Sequence, residues 1–181
     1  IKDTSSFYLL VNRNKKSLTL NLNVDKGKDI FLKLARDADV ILEGFRPGVA
    51  KRLGVDYDTV KKVNPRLVYC SISGYGQDGP YANLSGHDIN YLSYAGILGL
   101  TVARDGTPVI PSTQIADIGG GALMAAIGIL LALMTQRNTG KGQFVDISML
   151  DGVVAWLPAI AGGYFATQQP PTPGKMRLAG K

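Results

Sequence analysis

Two side chains in this sequence combine acid–base character with glycine-rich surroundings, His87 and Asp117. His87 is the single histidine of the 181 residues and stands between Gly86 and Asp88. An imidazole titrates near neutral pH, so it suits a general base, although it serves equally well as a helix-flanking or core residue. Asp117 stands just before three consecutive glycines and a long apolar run. We therefore treat both as candidate catalytic residues.

The glycines after Asp117 admit two interpretations. Backbone N–H groups and the macrodipole at a helix N-terminus stabilise a charged carboxylate, so Asp117 could be an ordinary N-cap. Gly119, Gly120 and Gly121 point to more than a cap, because each costs a helix about 1 kcal/mol relative to alanine. Glycines also let a ligand such as a thioester approach the backbone closely.

The sequence lacks the residues that several other kinds of functional site require. With one histidine and one cysteine, a zinc centre would need carboxylates for most of its ligands, and no G-x-S-x-G hydrolase motif is present. Gly74, Gly76 and Gly79 match the dinucleotide fingerprint formally, but Pro80 and turn formers follow where a helix should begin. The sequence therefore predicts neither a metal site nor a nucleotide-dependent oxidoreductase.

Arg46 and Arg52 flank a Pro-Gly turn and a short helical pattern. From this rigid frame both could reach one anion, and the planar arginine fork suits phosphate. Two ordinary surface arginines explain the spacing equally well.

The overall charge favours small anions over nucleic acid. Lys and Arg number 20 against 14 Asp and Glu, which gives a formal charge of +6, and the tightest basic cluster is residues 12–16. Nucleic-acid recognition normally needs a denser basic face. A phosphate-bearing small molecule needs only two or three of these charges.

The apolar segments predict a protein without a membrane span. Cys70 has no disulfide partner, which favours a reducing, cytoplasmic compartment, and it lies in an apolar run typical of a core strand. Residues 118–134 carry no charge but are short for a span and begin with glycines. We expect a buried core helix there.

These residues are placed by alternating strand and helix patterns. We predict strands at 16–24, 39–45 and 66–73, a turn at 25–27, and helices from that turn to Ala38 and at 56–63. Ile30, Phe31, Leu34 and Ala38 form the apolar face of the first helix. This alternation is typical of an α/β domain with a parallel sheet, in which ligands gather beyond the strands' carboxyl ends.

Six ordered segments resemble the family III CoA-transferase (CaiB/BaiF-like) family, most closely its α-methylacyl-CoA racemases. They are "NRNKKSLTLNL", "DVILEGFRPGVAKRLGVDY", "NPRLVYCSISGYGQDGPYA", "GHDINYL", "ADIGGG" and "TGKGQFVDISMLDG". The resemblance implies a Rossmann-like parallel sheet with flanking helices, an interlocked homodimer and an acyl-CoA substrate. It implies no cofactor beyond the coenzyme A of that substrate.

The resemblance implies two chemistries that share Asp117. In the transferases this aspartate is the nucleophile that forms a mixed anhydride and then an aspartyl-CoA thioester. In the racemases a histidine and an aspartate remove and return the proton α to the thioester, and His87 matches that histidine, where transferases often carry tyrosine. We place epimerisation of 2-methylacyl-CoA first, CoA transfer second and a non-catalytic CoA-binding fragment third.

The resemblance also implies where coenzyme A binds. The implied positions are Leu20, Asn21, Leu22, Asn23, Gly44, Phe45, Arg46, Arg52, Gly86, Asp88 and Tyr91. From the helix start itself we infer that backbone N–H groups near Gly119, Gly120 and Gly121 receive the enolate oxygen.

The expected domain division follows from the same resemblance. Residues 1–155 would form the large CoA-binding α/β domain, incomplete at its N-terminus. Residues 156–181 would begin a linker toward a second domain. We therefore expect the chain to be a piece of a longer protein whose isolated form lacks activity.

Overall fold

A three-stranded parallel sheet lies at the centre of the computed structural model, which describes residues 5–175. Its strands are β1 (Val40–Glu43), β2 (Val68–Ser73) and β3 (Phe144–Ser148), in the order β1-β2-β3. The central strand β2 is buried along almost its whole length, because it is paired on both edges and covered on both faces. The predicted α/β class with a parallel sheet is confirmed.

Nine α-helices and one π-helix are present in residues 5–175. They are α1 (Ser6–Val11), α2 (Asp25–Arg36), α3 (Val49–Leu53), α4 (Tyr57–Val63), α5 (Asp88–Tyr94), α6 (Ile97–Leu100), the π-helix (Ile115–Leu123), α7 (Met124–Thr139), α8 (Met149–Val154) and α9 (Pro158–Thr167). The predictions of β1, β2, α2 and α4 are confirmed within a few residues at each end.

Two apolar clusters fix the helices. One joins α2 and α4 to the sheet, through Ala35, Val60 and Tyr69. The other joins α5, the π-helix and α8, and its buried members are Tyr75, Tyr91, Leu92, Ala116 and Val153. The second cluster determines where His87 and Asp117 lie.

The strand predicted at 16–24 is wrong. This segment is irregular, Leu18 is 63% exposed, and the side-chain oxygen of Asn21 accepts the backbone N–H of Asn23 at 3.0 Å. Such an Asx turn competes with strand pairing. Alternating residues therefore mislead here, since the described residues offer this segment no strand to pair with.

The region around α2 also departs from expectation. Residues 25–27 form the first turn of α2 rather than a preceding turn. Phe31 and Ala38 pack on the core as predicted, but Ile30 and Leu34 are exposed. The buried residues of α2 are Gly27 and Ala35. The buried face of α2 is therefore shifted by about one residue from the predicted apolar face.

The apolar run at 118–134 is less buried than predicted. It belongs to one continuous helical segment, Ile115–Thr139, whose mean hydropathy of 2.1 and length meet the criteria for a membrane span. Core helices of soluble proteins meet the same criteria. Its inner side packs on β2 and β3, whereas its outer side is exposed at Ile127, Leu130, Leu131 and Met134.

The segment predicted as a linker, 156–181, contains the helix α9. Its last six residues, and the first four residues of the predicted large domain, lie outside the described part of the chain. The linker assignment stays a prediction.

Candidate active site

His87 is the N-cap of α5. Its backbone is extended, and its N–H donates to the side-chain oxygen of Asn90 at 2.9 Å, while its carbonyl accepts the N–H of Asn90 at 2.8 Å. The backbone of His87 therefore starts the helix. Its imidazole is exposed and available to a ligand.

Asp117 is the third residue of the π-helix, not its N-cap, which is Gln114. The N–H groups of Ala116 and Asp117 donate to Oδ1 of Asp88, at 2.6 Å and 3.0 Å. The carboxylate of Asp88 thus satisfies the donors that would otherwise be free at this helix start. The interpretation of Asp117 as an N-cap is wrong for this reason.

One pocket of about 310 Å³ contains both candidate side chains. His87 and Asp117 lie on its wall together with Asp88. The remaining lining residues are Ile89, Ile110, Pro111, Ser112, Thr113 and Gln114. The pocket therefore combines two groups capable of proton transfer with an apolar side at Ile89, Ile110 and Pro111.

The pKa of Asp117 is raised above the ordinary value of an aspartate. Burial is the main cause, the nearby carboxylate of Asp88 adds to it, and His87 opposes it. The sequence led us to expect a stabilised charged form, and the structure gives the opposite direction. Burial also raises the pKa of Tyr91, with smaller contributions from Tyr75 and Asp117.

The glycines after Asp117 allow close helix packing. All three are buried. A Cβ at Gly119 would collide with the ring of Trp156, one at Gly120 would lie 2.5 Å from the carbonyl oxygen of Met149, and one at Gly121 would lie 3.1 Å from Cγ of Met149. Contact with α8 and Trp156 therefore accounts for these glycines, and their predicted role as enolate donors stays a prediction.

Gly86 and Tyr91, both expected to bind coenzyme A, pack on each other. A Cβ at Gly86 would lie 2.6 Å from the ring of Tyr91, and one at Gly74 would lie 2.5 Å from its hydroxyl oxygen. Tyr91 is 5% exposed. The packing of these two residues therefore stabilises the start of α5.

The other positions expected to bind coenzyme A lie outside this pocket. Leu20, Asn21, Leu22 and Asn23 belong to the irregular segment that packs against Gly27 at the start of α2. Gly44, Phe45 and Arg46 follow β1, with the N–H of Phe45 donating to Glu43 at 2.6 Å, and Arg52 lies in α3.

Both arginines are exposed, and the carbonyl of Arg46 accepts the N–H of Val49 at the start of α3. Neither arginine lines the pocket that contains His87. The structure therefore does not place the two arginines in the pocket of His87 and Asp117.

The loop with the formal dinucleotide fingerprint opens no helix. Gly76 and Gly79 both have φ of +88°, bends and turns follow them, and the next helix begins at Asp88. The expectation that no helix begins directly after this loop is confirmed.

Sequence reasoning missed the residues from Ile110 to Gln114 and the role of Asp88. The segment from Ile110 to Gln114, which lines the pocket, has no regular secondary structure. The one feature of the sequence that could have indicated its role is its position immediately before the π-helix. The resemblance implies that Asp88 binds coenzyme A, whereas its observed hydrogen bonds are to the backbone N–H groups 28 and 29 residues later in the chain.

Comparison with known proteins agrees with this architecture. The model of CoA-transferase family III matches residues 1–180. The chain belongs to CoA-transferase family III. A crystal structure of a CAIB/BAIF family protein from Brucella suis has a TM-score of 0.84 and 36% sequence identity, and the match covers 89% of this chain and 42% of that one.

Curated proteins that match the chain are named for different reactions. Acetyl-CoA:oxalate CoA-transferase from Acetobacter aceti is 41% identical over 94% of this chain and 44% of its own length. Alpha-methylacyl-CoA racemase from Homo sapiens is 42% identical over 78% of this chain and 37% of its own length. The chain thus spans less than half the length of these relatives, and both reaction types occur among them.

Proposed function

We propose that the full-length protein epimerises 2-methylacyl-CoA thioesters by removing and returning the α-proton. The observation that carries the proposal is the shared pocket of His87 and Asp117. Two acid–base groups on one pocket can address opposite faces of a single carbon.

The chemistry assigns one proton to each group. Neutral His87 takes the α-proton, and the electron pair of the C–H bond becomes an enolate delocalised onto the thioester oxygen. Protonated Asp117 then gives its proton to the other face of the carbon. In the reverse direction the roles exchange. The raised pKa of Asp117 supports this assignment, since it favours the protonated acid that the step needs.

The lining of the pocket supports an acyl substrate. Ile89, Ile110 and Pro111 offer an apolar surface next to the two polar groups. A branched acyl chain would lie against this surface. Exposed Arg46 and Arg52 would bind the phosphates of coenzyme A, as planar guanidinium groups do well.

CoA transfer is the second candidate function. It is supported by the relative named as a CoA-transferase that aligns over 94% of this chain. In this reaction the carboxylate of Asp117 attacks the acyl-CoA carbonyl and CoA leaves as the thiolate. The thiolate then attacks the aspartyl carbonyl of the mixed anhydride, which releases the first acyl group as its free carboxylate and leaves an aspartyl-CoA thioester. A second carboxylate attacks this thioester and expels the thiolate to form a new mixed anhydride. The thiolate finally attacks the acyl carbonyl of that anhydride, which gives the new acyl-CoA and frees the carboxylate of Asp117.

Deuterium exchange separates the two functions. The full-length protein is incubated with one stereoisomer of a 2-methylacyl-CoA in deuterated water, and α-deuterium and stereochemistry are followed by mass spectrometry and NMR. Epimerisation predicts α-deuterium incorporation with loss of stereochemical purity in the wild type, and both His87→Ala and Asp117→Ala abolish the inversion. Absence of exchange, with CoA transfer to an added carboxylic acid that His87→Ala leaves intact, would refute it in favour of transfer.

We also propose that the full-length protein acts as a cytoplasmic homodimer without a membrane span. We propose that it uses no metal and no cofactor beyond the coenzyme A of its substrate. The buried, unpaired Cys70 supports a reducing compartment, and the dimer rests on the family resemblance. Mass photometry of the purified protein with and without chelator, alongside the exchange assay, tests the dimer and the metal.

A further inference from the structure

Asp88 links the two side chains to which we assign the reaction. It follows His87 directly as the first residue of α5, and its Oδ1 accepts the N–H groups of Ala116 and Asp117 at 2.6 Å and 3.0 Å. Hydrogen bonds to a carboxylate are about twice as strong as neutral ones. This pair of bonds therefore ties the start of α5 to the start of the π-helix.

We propose that Asp88 is a positioning residue that sets the placement of Asp117 relative to His87, rather than a coenzyme A ligand. The inference rests on the proposed function, in which both side chains act on one carbon.

The other contacts between α5 and the π-helix are apolar and have little directionality. Within residues 5–175, no other hydrogen bond joins α5 to the π-helix, and the rest of their interface is apolar packing of Tyr91, Leu92 and Ala116. The connection from Thr101 to Gln114 is largely exposed. Loss of Asp88 removes these two directional contacts, so we expect Asp117 to shift relative to His87 while the π-helix keeps its packing on α8. A misplacement of about 1 Å can cost an enzyme about 100-fold in rate.

Asp88 also contributes charge. The titratable groups that face Asp117 are His87, Asp88 and Tyr91, all from α5 or its N-cap. The helix α8, which also packs on the π-helix, carries Asp151, which lines a different pocket with Asp146. Removing the charge of Asp88 therefore lowers the pKa of Asp117 without other compensation nearby.

Two variants of the full-length protein separate position from charge. Asp88→Asn keeps an oxygen acceptor for both N–H groups, so we expect it to retain most of kcat. The limb of its pH–rate profile governed by Asp117 moves to lower pH. Asp88→Ala removes the acceptor as well, and we expect kcat for deuterium exchange to fall about 100-fold with KM little changed.

Asp105→Ala is the matched control. Asp105 also accepts a backbone N–H, that of Thr107 at 3.0 Å, but it lies outside the pocket. We expect its exchange rate to equal that of the wild type. Exchange by Asp88→Ala at the wild-type rate, or a change confined to KM, would overturn the positioning role.

A crystal structure of Asp88→Ala keeps this test separate from the proposed function. We expect the carboxylate of Asp117 to be displaced relative to His87. An unchanged Asp117 in that structure overturns the inference even if the wild type proves inactive in exchange. Absence of wild-type exchange with a displaced Asp117 refutes epimerisation and supports the positioning role.

Discussion

Substitution of Gly120 by alanine tests whether the glycines after Asp117 exist for packing. A Cβ at this position would lie 2.5 Å from the carbonyl oxygen of Met149 and 2.9 Å from Cγ1 of Val153. Favourable contacts between nonbonded carbons lie at about 3.5–4.0 Å. The carbonyl oxygen belongs to the backbone of α8, so it cannot rotate away, and the two helices must separate.

The expected loss of stability combines two opposing effects. Alanine improves helix propensity by about 1 kcal/mol relative to glycine. Overpacking of a tight interface costs about 1–3 kcal/mol, and contact with a backbone atom places Gly120→Ala at the upper end. We therefore expect a net loss of about 2 kcal/mol. For a domain of this size the corresponding decrease in Tm is about 4–8 °C.

Thermal and urea unfolding of the full-length protein measure this difference, and Gly162→Ala is the matched control. Gly162 lies in α9, where an added Cβ meets no atom within 4 Å. We expect this control to raise stability by about 0.4–1 kcal/mol. If Gly120→Ala is also stabilising, the packing explanation is wrong, and close approach of a ligand becomes the better reason for these glycines.

Two further predictions concern the sheet domain. Asn64→Ala should lower the free energy of unfolding by about 1–3 kcal/mol. The reason is that the side-chain amide of Asn64 donates to the carbonyls of Ala35, Arg36 and Ala38 at the end of α2. Urea unfolding measures the loss, and a stability equal to that of the wild type would contradict the prediction. Burial raises the pKa of the Cys70 thiol to about 11. The folded protein should therefore react slowly with DTNB at pH 8, and the unfolded protein should react fast. Rapid labelling of the native state would contradict the burial of this thiol.

The elements of the fold that could be predicted are those with a clear hydrophobic pattern in their own segment of the sequence. The segments that became β1 and β2 are short apolar runs ended by glycine or serine, and parallel pairing follows from the helices between them. The segment at 16–24 alternates just as well but forms an Asx turn. The strand β3 was not predicted, because Phe144–Ser148 alternates only weakly and becomes a strand by pairing with β2.

The candidate site was predictable in its residues but not in its connections. His87 and Asp117 stood out by type and surroundings, and the structure brings them to one pocket. The hydrogen bonds from Asp88 join residues 28 and 29 positions apart. A contact of that range leaves no local pattern in a single sequence, and the same holds for the irregular wall from Ile110 to Gln114.

The position of His87 has an evolutionary consequence. The hydrogen bonds that start α5 at this residue use its backbone, while its imidazole is exposed. Exchange of the side chain therefore leaves the helix and the core nearly intact. Under the proposed function, a lineage that replaces this one side chain changes the reaction at the pocket without first acquiring compensating substitutions elsewhere, whereas replacement of the glycines beside Asp117 disturbs the packing of two helices.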